Sequence, residues 1–215
     1  MKSIQRSILE HHLAEGRPYF KGSLLNAGCG DTTYEFIYRD RVENQIRFDW
    51  PNTVHDKSLI DVFGSVTVLP FADQCFDVVL CTEVLEHINE PQRTLSEVYR
   101  VLKPEGHVVL SVPLLYQMHE QPYDFFRYTY YGLNHLFTRA GFQVVSCKAR
   151  GEIAAVVICF LKKSIEKPIR KKITKNYQKN LLDPRLDRID ADEQEAAASC
   201  CYDNELHTGV YCYCW

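Results

Sequence analysis

Leu24-Leu25-Asn26-Ala27-Gly28-Cys29-Gly30 reads as a short apolar strand that runs straight into a glycine turn. Without Cβ atoms at Gly28 and Gly30, the backbone turns tightly and lets a ligand come close to the main chain. Asp31-Thr32-Thr33 follows and supplies carboxylate and hydroxyl N-cap candidates for a helix. Strand, glycine turn and helix together open a nucleotide-binding βαβ unit.

The rhythm continues along the chain. Residues 3–15 pattern as a leading helix, and Tyr34–Arg39 belongs to the helix after the turn, with Phe36 and Ile37 expected to face a sheet. Strands are expected at Ser23–Asn26, Gln45–Asp49 and Val62–Val66. Phe76–Cys81 is a continuous apolar run, as a central strand of a parallel sheet requires. Pro91–Leu102 has Leu95, Val98, Tyr99 and Leu102 at helical spacing, and Lys103-Pro104-Glu105-Gly106 stops it. His107–Val112 is the next strand, Thr129–Ala140 a helix capped by Gly141, and Phe142–Cys147 a further strand. After residue 150 the alternation breaks into a basic then acidic stretch, and it returns at Thr208–Trp215. The expected fold is α/β: a Rossmann-like, doubly wound, mostly parallel seven-stranded sheet with an antiparallel last strand. The expected organisation is an N-terminal helix (1–20), a core (20–150), an insertion (151–206) and the last strand (207–215), which is expected to continue beyond Trp215.

The chain has 215 residues, a hydrophobic fraction of 46% and a net charge of -3, which argue for a globular domain and against bulk nucleic-acid binding. No signal-peptide core and no apolar run of about 20 residues is present, so cytoplasmic residence is expected. The nine cysteines show no disulfide spacing. Cys200, Cys201, Cys212 and Cys214 have the wrong spacers for a thiolate zinc site, and no metal is expected.

Asp49 ends the second strand about twenty residues beyond Gly30, the place where nucleoside-binding folds put a carboxylate that accepts from ribose hydroxyls. Trp50 beside it either lies against a base or packs. Leu69-Pro70-Phe71-Ala72-Asp73-Gln74-Cys75-Phe76-Asp77-Val78-Val79 resembles the "LPF…FDVV" segment of class I S-adenosylmethionine (SAM) dependent methyltransferases of the type 11 kind. Asn26–Gly30, Val84-Leu85-Glu86-His87, Arg100-Val101-Leu102-Lys103-Pro104-Glu105-Gly106 and Ala140-Gly141-Phe142 agree with that family in order and spacing. The resemblance covers residues 20–150 and 208–214. It implies SAM as cofactor, with Gly28, Cys29 and Gly30 at its methionine part and Asp49 at its ribose. Ser65 and Val66 would flank the adenine, and Cys81 and Thr82 would floor the sulfonium. Asn26 stands where an acidic residue is usual, Thr32 where a glycine is usual, and Ser65 replaces a common acidic residue. Asn26 still offers a carbonyl to a water or the ammonium group.

His119-Glu120-Gln121-Pro122-Tyr123-Asp124-Phe125-Phe126-Arg127-Tyr128-Thr129 resembles the "H…P…D…RYT" stretch of bacterial methyltransferases from surface-polysaccharide and cell-wall gene neighbourhoods. It leaves the carboxyl end of a parallel strand, where ligands bind in such sheets. His119 is the candidate base and Arg127 the candidate clamp for an acceptor carboxylate or phosphate. Asp124 and Arg127 equally read as a structural ion pair, and His87 as a site residue or a helix-start histidine.

The implied activity is methyl transfer from SAM to an oxygen or nitrogen of a small-molecule or glycan acceptor. A quinone- or lipid-type methyltransferase and a non-catalytic SAM-binding module are the alternatives. The apolar Ile153–Leu161 followed by Lys162, Lys163, Lys167, Arg170, Lys171, Lys172 and Lys175 reads either as a peripheral membrane contact over 153–175 or as a packed element with a solvated basic face.

Overall fold

A computed structural model describes residues 4–149, Asn176 and 209–214. The insertion expected over 151–206, its basic stretch and the Cys200–Cys201 pair lie outside the described residues. The chain divides into two compact units, Glu10–Arg150 with Leu206–Trp215, and Met1–Leu9 with Gly151–Glu205.

A helix α1 (Ile4–Glu15) precedes β1 (Ser23–Ala27), α2 (Glu35–Tyr38), β2 (Asn44–Asp49) and β3 (Val62–Phe63). Then come β4 (Phe76–Thr82), α3 (Pro91–Val101), β5 (Leu102–Val112), α4 (Tyr130–Arg139), β6 (Gln143–Ala149) and β7 (Gly209–Cys214). The strand order is β3-β2-β1-β4-β5-β7-β6. Leu24 pairs with Gln45 on one side and Val78 on the other, both in parallel. Chain progression runs outward from β1 to β3 and then jumps back to β4, so the sheet reverses between β1 and β4. Open α/β sheets bind ligands in the crevice at the carboxyl ends of two such strands.

The apolar runs read from the sequence are the ones that fill the core. Val78, Val79, Leu80 and Cys81 of β4 and Val108, Val109 and Leu110 of β5 are all buried, as strands covered on both faces must be. The α3 stripe buries Leu95, Val98 and Val101, while Tyr99 is partly exposed and packs edge-on against Phe142 at 5.0 Å between ring centroids. Thr129 caps α4, its Oγ1 accepting from Gly132 N at 3.1 Å.

Four local expectations are corrected. The third strand stops at Phe63, because Ser65 bonds across its own turn to Val68 and leaves the ladder. In α2 it is Ile37 and Tyr38 that are buried, while Phe36 is exposed, so the inward face lies one residue later. The β5 strand begins at Leu102, and Glu105 at φ +63 sits in an irregular approach before regular pairing from His107. Finally, β7 runs parallel to both neighbours, Val108↔Val210 and Val144↔Val210, where an antiparallel return was expected. A parallel crossover needs about a dozen connecting residues or more, and residues 150–208 provide many more than that.

One cation secures the loop that carries the Leu69-Pro70-Phe71 motif. The Arg100 guanidinium donates to the Leu69 carbonyl (3.0 Å), the Phe71 carbonyl (2.8 Å) and Asp73 (2.7 Å). It also holds Glu97 through two nitrogens, and Glu97 in turn accepts from Leu69 N at 2.8 Å. These contacts hold the Glu97 carboxyl below its ordinary range. Arg100→Ala is expected to lower unfolding free energy by about 2–3 kcal/mol, since it takes the donor from two carbonyls and two carboxylates. Arg100→Lys should recover less than half of that, because an ammonium cannot reproduce the planar fork. Urea denaturation measures both, and a loss below about 0.5 kcal/mol in the alanine variant would remove the network from the account.

Candidate functional site

The glycine turn is stitched to the end of β2 by its own amides. Gly28 N and Cys29 N both donate to the Phe48 carbonyl (2.8 and 3.1 Å), and Gly30 N donates to Asp49 Oδ2 (2.8 Å). The other Asp49 oxygen accepts from Trp50 N at 2.6 Å. Asp49 therefore orders the turn while keeping acceptor capacity for further donors. Gly28 has φ +78, and a Cβ there would lie 2.2 Å from Val84 Cγ2. Val84 follows β4, so the two lips of the crevice touch at a position only glycine fits.

Thr32 carries φ +53, a left-handed backbone that β-branched residues rarely adopt. The residue that replaces a glycine thus keeps the glycine conformation. Nor does Asp31-Thr32-Thr33 supply the expected side-chain cap. The helix α2 begins after Tyr34 with no such bond, and Asp31 instead pairs with His55 Nδ1 (3.2 Å) and accepts from Asp56 N. His55 lies against Gly30, its ring 3.4 Å from where a Cβ would be.

The remaining expected cofactor residues fall into two groups. Ser65 is exposed, its hydroxyl 2.7 Å from Thr67 Oγ1, and Trp50 is 39% exposed with its ring edge-on to Tyr123 at 4.9 Å. Thr82 is partly buried at the end of β4. Asn26, Cys29, Val66 and Cys81 are buried. Asn26 Nδ2 donates to the Tyr38 hydroxyl (3.2 Å), which ties the side chain into the core. Burial pushes the Cys29 and Cys81 thiols each up to about 12, with the charge of Asp49 adding to the first and that of Glu86 to the second. Both are inert thiols, and Cys81 packs in the core where a floor under the sulfonium was expected.

The segment after β5 closes over the turn after β4. Phe125 N and Phe126 N donate to the Glu86 carbonyl (2.9 and 3.2 Å), and the Tyr128 hydroxyl donates to the Leu85 carbonyl (3.0 Å). His87 Nδ1 donates to the Tyr123 carbonyl at 2.6 Å, because a carbonyl only accepts. The His87 and His119 rings stand edge to face, 4.7 Å apart.

His119, Asp124 and Arg127 are brought together as expected. Arg127 grips Asp124 with two nitrogens (2.6 and 2.9 Å) and spends its remaining donors on the carbonyls of Tyr116, Gln117 and Phe126. Of the two readings of this pair, the structure contains the ion pair. Asp124 also accepts from His119 N (3.0 Å), and His119 Nδ1 lies 3.2 Å from the Gln117 carbonyl and 3.5 Å from Asp124 Oδ2. Val84, Glu86 and His55 were not singled out from sequence. Glu86 was legible only inside the Val84–His87 motif, and His55 sits in a loop with no periodic signal.

A parallel sheet with its switch point at β1/β4, a glycine turn and a carboxylate at the end of β2 defines a nucleoside-binding α/β protein. Residues 25–110 match the family model of a methyltransferase domain. Over that stretch the chain is similar to methyltransferase domains, and the relatives it matches include SAM-dependent ones. It is 44% identical over 50 residues to a demethylmenaquinone methyltransferase of Renibacterium salmoninarum, covering 23% of this chain and 21% of that protein. A probable S-adenosylmethionine-dependent methyltransferase of Mycolicibacterium smegmatis is 30% identical over 96 residues, 42% of this chain and 37% of that one. The chain thus spans less than half the length of the curated relatives it matches. A SAM-dependent methyltransferase structure from Archaeoglobus fulgidus superposes with TM-score 0.54 at 16% identity, covering 81% of this chain and 86% of that one, a likeness of fold.

The Asp124 geometry has a pH consequence. Arg127 holds the carboxyl down to about 2, from an ordinary 3.8. A depressed carboxyl stabilises the fold above its unfolded value and loses that contribution as pH falls from about 4 toward 2. Asp124→Asn should cost on the order of 1–2 kcal/mol at pH 7. The wild type and variant should then converge between pH 4 and 2 in urea titrations. Parallel curves across that range would show that the pair contributes nothing.

Proposed function

We propose that this chain transfers the methyl group of SAM to an oxygen or nitrogen of a small-molecule or glycan acceptor. The observation that carries the reading is the Asp49 carboxylate, which orders the Gly28–Gly30 turn and still has lone pairs for ribose hydroxyls. The residues fit the cofactor: a main-chain turn lacking Cβ atoms, a buried carboxylate, and the exposed Trp50 and Ser65 on the same strand-end segments. Bound there, SAM supplies a methyl carbon on a sulfonium, already a strong electrophile. The acceptor oxygen or nitrogen would take that methyl group and give up its proton to a base.

The protein's part is positioning. Asp49 fixes the nucleoside, while Asp124 and Arg127 hold the segment that presents His119. The His87–His119 imidazole pair is the part of the site that meets the reacting atom of the acceptor. Tyr116, Tyr123, Phe125 and Phe126 remain exposed around it and offer faces on which a sugar ring would stack. The likeness to a demethylmenaquinone methyltransferase favours a second reading, an apolar ring acceptor on the same aromatic faces. The protein acts without spanning a membrane through any described helix, since none is long and apolar enough. Adsorption through 153–175 would bring it to a lipid-linked acceptor.

Calorimetric titration with SAM and with its demethylated product tests the reading. Both should bind, and Asp49→Ala should weaken binding at least about tenfold through the lost ribose and turn contacts. His119→Ala should bind SAM like the wild type and release product about 10²-fold more slowly with the best of a panel of hydroxyl, amine and quinone acceptors. Absence of binding by either nucleoside at millimolar concentration would overturn the proposal.

A further inference from the structure

The three residues Glu86, His87 and His119 place ligand atoms within 4.8 Å of one another. Their chemistry is that of a metal centre: two imidazoles and a carboxylate suit zinc and other late first-row ions. We infer that Glu86, His87 Nε2 and His119 Nε2 bind a divalent transition-metal ion at the mouth of the crevice.

Each imidazole is already oriented for that task. Metal-ligating histidines usually donate their second ring N–H to a carbonyl or carboxylate, which fixes the tautomer and aims the other nitrogen. His87 does so through Nδ1 to the Tyr123 carbonyl at 2.6 Å. His119 has the Gln117 carbonyl and the Asp124 carboxylate on its Nδ1 side, at 3.2 and 3.5 Å. Two acceptors there leave the proton on Nδ1 and the lone pair on Nε2. The anchors belong to one loop, and that loop is pinned to the Glu86 carbonyl by two amides. Metal ligands and their supports therefore form a single preorganised unit.

Burial is graded across the group. The Glu86 side chain is fully buried, that of His87 is 14% exposed and that of His119 27%. A carboxylate taken out of water favours a nearby positive charge, and His87 Nε2 faces its Oε1 at 3.8 Å. Bonds of about 2.0–2.2 Å to an ion would bring such atoms to roughly 3–4 Å apart, a side-chain adjustment and no more. On the solvent side stands Glu120, its carboxylate 4.0 Å from His87 Nε2 and largely exposed. An ion with three protein ligands keeps positions for water or a substrate oxygen. In the methyl-transfer reading, on which this role rests, the imidazole pair acts on the acceptor through that ion, and a hydroxyl acceptor bound to it becomes more acidic.

The test uses the full chain, stripped of metal under reducing conditions and titrated with Co2+. Cobalt at an imidazole–carboxylate site shows weak visible bands without the intense thiolate charge-transfer band that cysteine ligation produces. One equivalent with the weak bands alone is expected for the wild type and for His135→Ala, an exposed histidine of α4. His119→Ala and His87→Ala should lose that equivalent, with folding checked by circular dichroism. His119→Ala alters a partly exposed side chain and carries the decision if His87→Ala unfolds. No such equivalent in the wild type, or an unchanged one in His119→Ala, overturns the site. SAM titration of the same samples separates the two failures. Cobalt bound without SAM would refute the methyltransferase reading and leave the metal site standing, whereas SAM bound without cobalt would refute the metal site alone.

Discussion

The carboxylate of Asp49 bonded to Gly30 N and Trp50 N is the interaction on which the rest of the crevice depends. It closes a circuit between two adjacent strand ends, β1 and β2. With Gly28 N and Cys29 N on the Phe48 carbonyl, every amide of the turn from 28 to 30 is committed to β2. Val84 can then press against Gly28, and the segment after β4 takes its place. The loop after β5 follows, through Tyr128 on Leu85 and two amides on Glu86. Each lip of the crevice is thus set by the one before it.

Sequence made much of this frame legible, for physical reasons that can be named. Buried parallel strands leave continuous apolar runs, so β4 and the regular part of β5 from His107 were readable, while the irregular start of β5 at Leu102 was not. Arg100 was visible as part of a motif, but its partners were not, since a guanidinium that bonds the Leu69 and Phe71 carbonyls leaves no trace in their identities. The direction of β7 was illegible for a different reason. Strand polarity is set by where the connecting chain re-enters the sheet, and residue pattern within a strand has period two in either direction.

The candidate site shows the same division. Asp49 was legible because its distance from Gly30 reflects one β-α-β step. His119, Asp124 and Arg127 were legible as a group, yet their division of labour was not: only geometry shows the guanidinium committed to Asp124 and three carbonyls. Glu86 was hidden because a fully buried glutamate looks, in sequence, like any charge on a helical turn. What distinguishes it is its neighbours, His87 beside it in the chain and His119 from the loop after β5.

Thr32, held at φ +53 where a glycine would rest without cost, has a consequence for recognition. A left-handed threonine stores on the order of 1 kcal/mol relative to a relaxed backbone. That energy is supplied by folding, through the amides that tie the turn to β2, and is not asked of a ligand. A glycine here would take the same backbone without that strain. Threonine leaves fewer alternatives in the unfolded chain, and the left-handed pose costs it more than it would cost a glycine. The residue that makes the turn look degenerate in sequence keeps, in the fold, the left-handed backbone a glycine would take.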